Sequence, residues 1–255
     1  MTELLSVDGL SINFGGLAAL SDLDLEVSEG EIVALIGPNG AGKTTVFNVL
    51  TGLYGPSRGR VTFRGADLLA LKPHAIARRG IARTFQNTEV FRRLSALDNV
   101  LIGRHAHLHG GVLGGALGLP RVRAEEATAR RDARALLDLV GLGFAADVEA
   151  ASLPLGHQKR LEMARALAAE PVLLLLDEPA GGLNPTETRE VMGLIRRLRD
   201  ERKLTILLVE HDMQLVMGIS ERVAVLDHGR KISSGSPREI ARDPAVIEAY
   251  LGVDE

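Results

Sequence analysis

Cysteine is absent from the 255 residues of this chain, which excludes disulfides, cysteine-ligated zinc and thiol nucleophiles and accords with a reducing compartment. A basic excess is absent too. Thirty Lys+Arg stand against 33 Asp+Glu, a formal net charge of -3, so the chain lacks the global positive field that holds nucleic acid, and no nucleic-acid partner is expected. The opening Met1-Thr2-Glu3-Leu4-Leu5 has neither the basic start nor the long apolar run of a secretory signal. No later apolar run approaches the roughly 20 residues that span a bilayer. The expectation is a cytoplasmic protein that meets a membrane only through a partner. No internal repeat or low-complexity tail is present, and 45% hydrophobic content allows a sizeable core in one domain with room for an inserted subdomain.

What is present is concentrated at Gly37-Pro38-Asn39-Gly40-Ala41-Gly42-Lys43-Thr44-Thr45, directly after the apolar run Ile32 to Ile36. This is strand, phosphate loop and helix, with the pattern G-x-x-x-x-G-K-[ST] complete. Glycines 37, 40 and 42 permit the backbone angles of an anion-wrapping loop, and their missing side chains let several N–H groups converge on one phosphate. A helix from Lys43 to about Thr51 then presents its positive dipole end to the same charge. Lys43 can reach β- and γ-phosphate oxygens, and the Thr44 hydroxyl is placed to ligate the Mg²⁺ that travels with a nucleotide.

Around this loop the first third of the chain reads as β-rich. Runs at 4–7, 10–14, 18–27 and 32–36 are broken by Gly9, Gly15-Gly16 and Glu29-Gly30, with a further edge at Val61 to Phe63 and a short helix opened by Pro73. Residues 92–150 change to helical spacing, with Ala133, Leu136, Leu137 and Val140 on one face. The glycine-rich stretch 109–120 reads as a mobile or partner-facing loop. From residue 157 helices alternate with apolar strands at 172–176, 204–209 and 223–226, which argues a parallel sheet covered on both faces. A last strand near 231–235 and helices near 237–241 and 245–251 complete the chain. As one domain it divides into a β-rich part with the phosphate loop (1–91), a helical subdomain (92–156), the rest of the α/β core (157–236) and C-terminal helices (237–255).

The second chemical signal is Leu173-Leu174-Leu175-Leu176-Asp177-Glu178. Two acids at the end of a buried strand are costly unless they meet a cation. Asp177 would hold Mg²⁺ directly or through water, and Glu178 would orient and polarise the water that attacks the γ-phosphate.

Phosphate loop, Gln86, the segment 153–160, Asp177-Glu178 and His211 stand in the order found in ATP-binding cassette ATPases, and the resemblance covers nearly the whole chain. It implies a P-loop nucleotidase core with a mostly parallel sheet, an N-terminal antiparallel β subdomain and an inserted α-helical subdomain. By the same resemblance Gln86 reaches Mg²⁺ and the attacking water, His211 contacts the γ-phosphate, and Phe14 stacks on adenine. As a residue, Phe14 serves a core equally well. Phe85, Val90, Phe91 and Leu94 could line the groove that receives a permease helix, or could simply pack.

The segment Leu153-Pro154-Leu155-Gly156-His157-Gln158 aligns with the family's signature loop, commonly Leu-Ser-Gly-Gly-Gln, but keeps only Leu153 and Gly156 of it. Proline supplies neither the serine hydroxyl nor its N–H. The donors left to meet the γ-phosphate of an opposite subunit would be the N–H groups from Gly156 onward. Asn184 stands where the loop after the acids usually has aspartate.

Several segments, including Asn184 to Thr188, Glu210 to Ser220 and Asp243 to Gly252, resemble the larger cassette protein of branched-chain amino acid uptake systems. Relatives serving urea, short amides or lipopolysaccharide export share parts of this pattern. The resemblance implies transmembrane permease subunits and a second cassette, identical or not, as partners, ATP and Mg²⁺ as cofactors, and a position on the inner face of the cell membrane. A soluble cassette acting on ribosomes or DNA repair is the alternative class; it usually has two cassettes or long coiled coils, and neither is present here. A regulator that binds nucleotide without hydrolysis is a third, opposed by Glu178 and His211.

Overall fold

A computed structural model of the chain describes residues 2–85, 89–104 and 120–251. It divides into two compact units, Met1–Arg83 with Val172–Glu255, and Thr84–Pro171.

In the first unit the described strands are β1 (Glu3–Phe14), β2 (Leu17–Ser28), β3 (Ile32–Ile36), β4 (Arg58–Phe63), β5 (Ala66–Asp67), β6 (Ile81–Arg83), β7 (Leu173–Asp177), β8 (Thr205–Val209), β9 (Arg222–Asp227) and β10 (Arg230–Gly235). They form two sheets, an antiparallel one ordered β2-β1-β4-β5 and a mostly parallel one ordered β10-β9-β3-β8-β7-β6. In the second, only the β9–β10 pair runs antiparallel. Every residue of β3, β7 and β8 is buried, as unbroken apolar runs such as Leu173 to Leu176 require when both sheet faces are covered. These strands run the same way with close register: Ala34 pairs with Leu208 and Asp177 with Val209. The chain therefore leaves β3, β7 and β8 at one edge of the sheet, the edge where open α/β sheets place their ligands.

Two details depart from the sequence reading. The runs 4–7 and 10–14 form one strand, because Gly9 (φ +56) absorbs an irregularity where the β1–β2 register shifts between Val7 and Leu10. The three-residue strand β6 was not expected; it is too short to carry a period, and its pairing with β7 is what defines it. The helices of this unit are α1 (Lys43–Leu50) and α2 (Pro73–Arg78), and, after the second unit, α6 (Pro185–Arg202), α7 (Met213–Ile219), α8 (Pro237–Ile240) and α9 (Pro244–Leu251). Phe47 and Leu50 of α1 lie fully buried in one cluster with Leu4, Leu10, Phe63 and Leu207, each such side chain contributing about 1.5–3 kcal/mol of apolar burial.

The second unit contains α3 (Ala96–Gly103), α4 (Pro120–Leu139) and α5 (Leu155–Leu167). Ala133, Leu136, Leu137 and Val140 are buried, as their spacing predicts. Gly103 lets α3 approach α5 closely: a Cβ there would lie 2.1 Å from the Arg165 carbonyl oxygen. Helix α5 begins two residues before the expected 157, with Pro154 extended at its N-cap (φ -56, ψ 155). Of the expected loop at 109–120, all but Pro120 lies outside the described residues. No helix among the described residues is long and apolar enough to cross a membrane.

Asn184, read from sequence as a departure in a functional loop, has a clear local job. Its side chain accepts the Thr186 and Glu187 N–H groups at 2.9 and 3.0 Å, while Glu187 Oε2 accepts the Asn184 N–H at 3.0 Å, a capping box at the start of α6. Aspartate would accept the same bonds, whereas alanine would not. Asn184→Ala should therefore cost about 1 kcal/mol and lower Tm by about 2–4 °C, with Asn184→Asp near the wild-type Tm, as measured by calorimetry.

Candidate active site

The loop between β3 and α1 is held in place by its glycines. At Gly37 (φ +149) an added Cβ would lie 2.0 Å from the Leu226 carbonyl oxygen of β9, and at Gly42 (φ +103) it would lie 2.8 Å from the Ala19 carbonyl oxygen of β2. These two glycines let the loop sit against its own sheets. Around Gly40 (φ +81) there is open space within 4 Å instead, so its backbone is accessible to an incoming anion. Gly42 is the N-cap of α1 and offers no side-chain cap, leaving the first-turn N–H groups of α1 for an external acceptor.

Lys43 is buried, and its Nζ donates to the carbonyl oxygens of Gly37 at 2.7 Å and Pro38 at 2.8 Å. Burial lowers its pKa from the ordinary lysine value, and the negative charges of Glu178 and Asp177 oppose that shift. Thr44 is exposed, and Thr45 half-buried, in the turn that follows.

At the end of β7, Asp177 is fully buried and pairs with Arg83 from the end of β6: Nη2 to Oδ2 is 2.7 Å. Arg83 also donates through Nη1 to Asn48 Oδ1 at 2.7 Å and stacks its guanidinium 5.3 Å from the centre of the Phe47 ring. One arginine thus ties β6, β7 and α1 together beneath the phosphate loop. Sequence reasoning passed over it; an arginine just before the Thr84-Phe85-Gln86 segment gives no signal of a partner about ninety residues away.

Glu178 turns the chain out of β7 with a left-handed backbone (φ +48), its N–H on the Val209 carbonyl at 2.9 Å and its carbonyl accepting the Gly181 N–H at 3.0 Å. A non-glycine residue in this region marks a position held by its surroundings. His211, after β8, puts Nε2 3.1 Å from Glu178 Oε1, and both side chains are partly open to solvent. Glu210, one residue earlier, is buried, and its carboxylate accepts three backbone N–H groups: Ala180 on Oε1 at 2.7 Å, and His211 and Asp212 on Oε2 at 2.8 and 3.2 Å. The structure thus brings Lys43, Asp177, Glu178 and His211, singled out from sequence, to one sheet edge with Arg83 and Glu210, which were not.

Phe14 is exposed at the β1–β2 turn, not in the core, with Tyr54 edge-on to it at 5.1 Å and 71°. Gln86 lies outside the described residues. In the second unit, Gly156 sits in the first turn of α5; the His157 and Gln158 N–H groups return to the Pro154 carbonyl at 2.9 and 3.0 Å, and Gln158 Nε2 donates to the Leu153 carbonyl at 2.8 Å. Phe85, Phe91 and Leu94 are exposed, whereas Val90 is buried. The Phe85 N–H is held by Glu162 Oε1 of α5 at 2.9 Å.

A parallel α/β sheet with a phosphate loop after one strand and paired acids after a strand two places away defines a P-loop nucleoside triphosphatase. Comparison with known proteins narrows the class: the family model described as ABC transporter matches residues 20–181, and the chain belongs to the ABC transporter ATPase family. A second model, described as branched-chain amino acid ATP-binding cassette transporter, matches residues 230–255. The high-affinity branched-chain amino acid transport ATP-binding protein LivG of Salmonella typhimurium is 48% identical over 249 residues, 98% of this chain and 98% of that protein. Among solved structures, the ADP conformation of the ATP-binding cassette MJ1267 superposes with a TM-score of 0.86 at 29% identity, over 99% of this chain and 100% of that one. A dimeric post-hydrolysis state of the cassette MJ0796, bound to ADP and phosphate, gives 0.78 at 26%, over 92% and 99%.

The Arg83–Asp177 pair makes a stability prediction. Arg83→Met strands a buried carboxylate and should cost about 3–5 kcal/mol of unfolding free energy. Adding Asp177→Asn should return most of that loss, as read from urea midpoints of the full chain.

Proposed function

We propose that this chain is the ATP-hydrolysing subunit of an importer of branched-chain amino acids, acting with a second cassette on transmembrane permease subunits at the inner face of the cell membrane. The observation that carries the substrate is the 48% identity to LivG over nearly all of both chains, joined by the C-terminal match at residues 230–255. Identity confined to the nucleotide site would support ATP hydrolysis alone.

The phosphates of ATP enter the loop at 37–45, where N–H groups around Gly40, the α1 terminus and Lys43 neutralise them. Lys43 exchanges its carbonyl partners on Gly37 and Pro38 for β- and γ-phosphate oxygens. The Thr44 hydroxyl and the Asp177 carboxylate are hard oxygen donors of the kind Mg²⁺ takes, one at the loop and one at the neighbouring strand end. Mg²⁺, when bound, neutralises charge on the phosphate oxygens. Glu178 orients and polarises water for attack on the γ-phosphorus. His211 fixes the Glu178 carboxylate from 3.1 Å and faces the γ-phosphate. By the family resemblance Gln86 would reach the same water and metal, and Phe14 offers a ring face to adenine beside Tyr54.

One phosphate loop leaves the far side of the γ-phosphate open to bulk water. The signature turn of a second cassette, here the N–H groups around Gly156, closes it. ATP then favours the closed pair, hydrolysis removes the phosphate that joins the halves, and the reopening drives the permease docked near Phe85, Phe91 and Leu94.

Glu178→Gln should keep ATP binding, lower turnover by at least about 100-fold and trap an ATP-bound dimer on size exclusion; unchanged turnover would remove Glu178 from the mechanism. Pro154→Ser restores a donor to a charged phosphate oxygen and should tighten ATP binding in paired cassettes by about tenfold. Leucine uptake by vesicles containing this chain and its permeases tests the substrate, and uptake of urea or short amides in place of leucine would overturn that assignment.

A further inference from the structure

The residue preceding a reactive histidine has no obvious chemistry, yet Glu210 is as enclosed as Asp177 at the sheet edge, 2% exposed. Its partners are all backbone N–H groups, and they belong to two different loops. Oε1 takes Ala180 from the loop that follows β7; Oε2 takes His211 and Asp212 from the loop that follows β8. Ala180 is two residues past Glu178, inside the tight turn closed by Gly181 N–H on the Glu178 carbonyl. The turn itself is held at an unfavourable backbone angle, φ +48 at Glu178, which persists only where the surroundings over-determine it.

We propose that Glu210 is a positioning residue for hydrolysis: one buried carboxylate clamps the loop that carries Glu178 to the loop that carries His211, and so sets the 3.1 Å approach of the two side chains. The proposal rests on the ATPase reading above. A carboxylate suits the task because it is acceptor-only, with lone pairs enough for three donors on two sides, and charge-assisted bonds to N–H groups are roughly twice as strong as neutral ones. An amide of the same shape has one acceptor oxygen. Its NH₂ would confront an N–H on the other side, so one of the two loops must let go. Because His211 and Asp212 offer two donors against one from Ala180, the Glu178 loop is the one released.

Nucleotide affinity belongs to the phosphate loop, so the effect falls on turnover. In steady-state ATPase assays of the full chain assembled with its second cassette and permeases, Glu210→Gln should lower kcat by about 100-fold, the size expected for a catalytic group displaced by about 1 Å. KM for ATP and the Kd for ATP measured by filter binding should stay within about threefold, because uniform binding is untouched. Glu210→Asp keeps the charge but draws it back by one methylene, and should show the same split with a smaller loss; it also decides the matter should the glutamine variant not fold. In the Glu178→Gln background, Glu210→Gln should cost little further in single-turnover hydrolysis, since residues acting as a unit are not additive. Wild-type kcat in the variants, equal losses in kcat and in Kd, or additive losses with Glu178→Gln would each overturn the role of Glu210 while leaving the ATPase reading intact. A wild-type chain that releases no phosphate from ATP when assembled with its second cassette and permeases would overturn both.

Discussion

Charge buried at the ends of parallel strands is the constraint on which the rest of this structure depends. Lys43, Asp177 and Glu210 are each removed from water, and an uncompensated buried ion costs several kcal/mol. Each is answered by a specific partner: Lys43 by the Gly37 and Pro38 carbonyls, Asp177 by Arg83, Glu210 by three backbone N–H groups. These partners lie on different strands and on the turns that follow them. Compensation therefore requires the sheet to be assembled in register, and the register in turn puts the reactive groups within reach of one triphosphate.

The order of strands does the assembling. β8 lies between β3 and β7, so the turn after it, with Glu210 and His211, emerges between the phosphate loop and the paired acids. All fifteen positions of β3, β8 and β7 are buried, and the two polar residues among them, Thr205 and Asp177, stand at strand ends. Chemistry is thereby excluded from the sheet and confined to the strand ends, where the backbone turns and free N–H groups occur. The close seating of Gly37 against Leu226 and of Gly42 against Ala19 extends this logic to the loop, whose shape is set by contact with β9 and β2.

The fold and the central chemistry were legible in sequence because their signals are local. Eight consecutive residues carry the phosphate loop, Leu173 to Glu178 carry a strand and its acids, and the helical faces repeat within one or two turns. What escaped notice is non-local. Arg83 finds Asp177 across 94 residues and Glu210 finds Ala180 across 30, and no spacing rule links such positions. β6 was missed for the same reason, being defined by its neighbour β7. In sequence Asn184 is a lost charge beside the family's usual aspartate, whereas the structure gives its side chain a cap that asparagine fills as well as aspartate. Phe14, open between two readings in sequence, is exposed, which the packing of the neighbouring strands decides and composition does not.

In the proposed pair of cassettes, the site housed by this chain and the site it would complete in a partner are built differently. At the first, several buried ions and three turns constrain one another, so no single group can drift without stranding a charge. At the start of α5 the constraint is lighter. Pro154 brings no side-chain cap, and Gln158 Nε2 donates to the Leu153 carbonyl ahead of the helix. The turn stays helical, yet what it can present to a phosphate is reduced to backbone N–H groups and the helix dipole. Hydrogen bonds to an ionised oxygen are worth about 1.5–3 kcal/mol each, so the loss of the serine donors falls on closure of the pair and spares nucleotide loading in the chain's own loop. Paired with a cassette whose signature is complete, this subunit would keep the tighter of the two sites, because that partner's donors close over its own Lys43, Glu178 and His211.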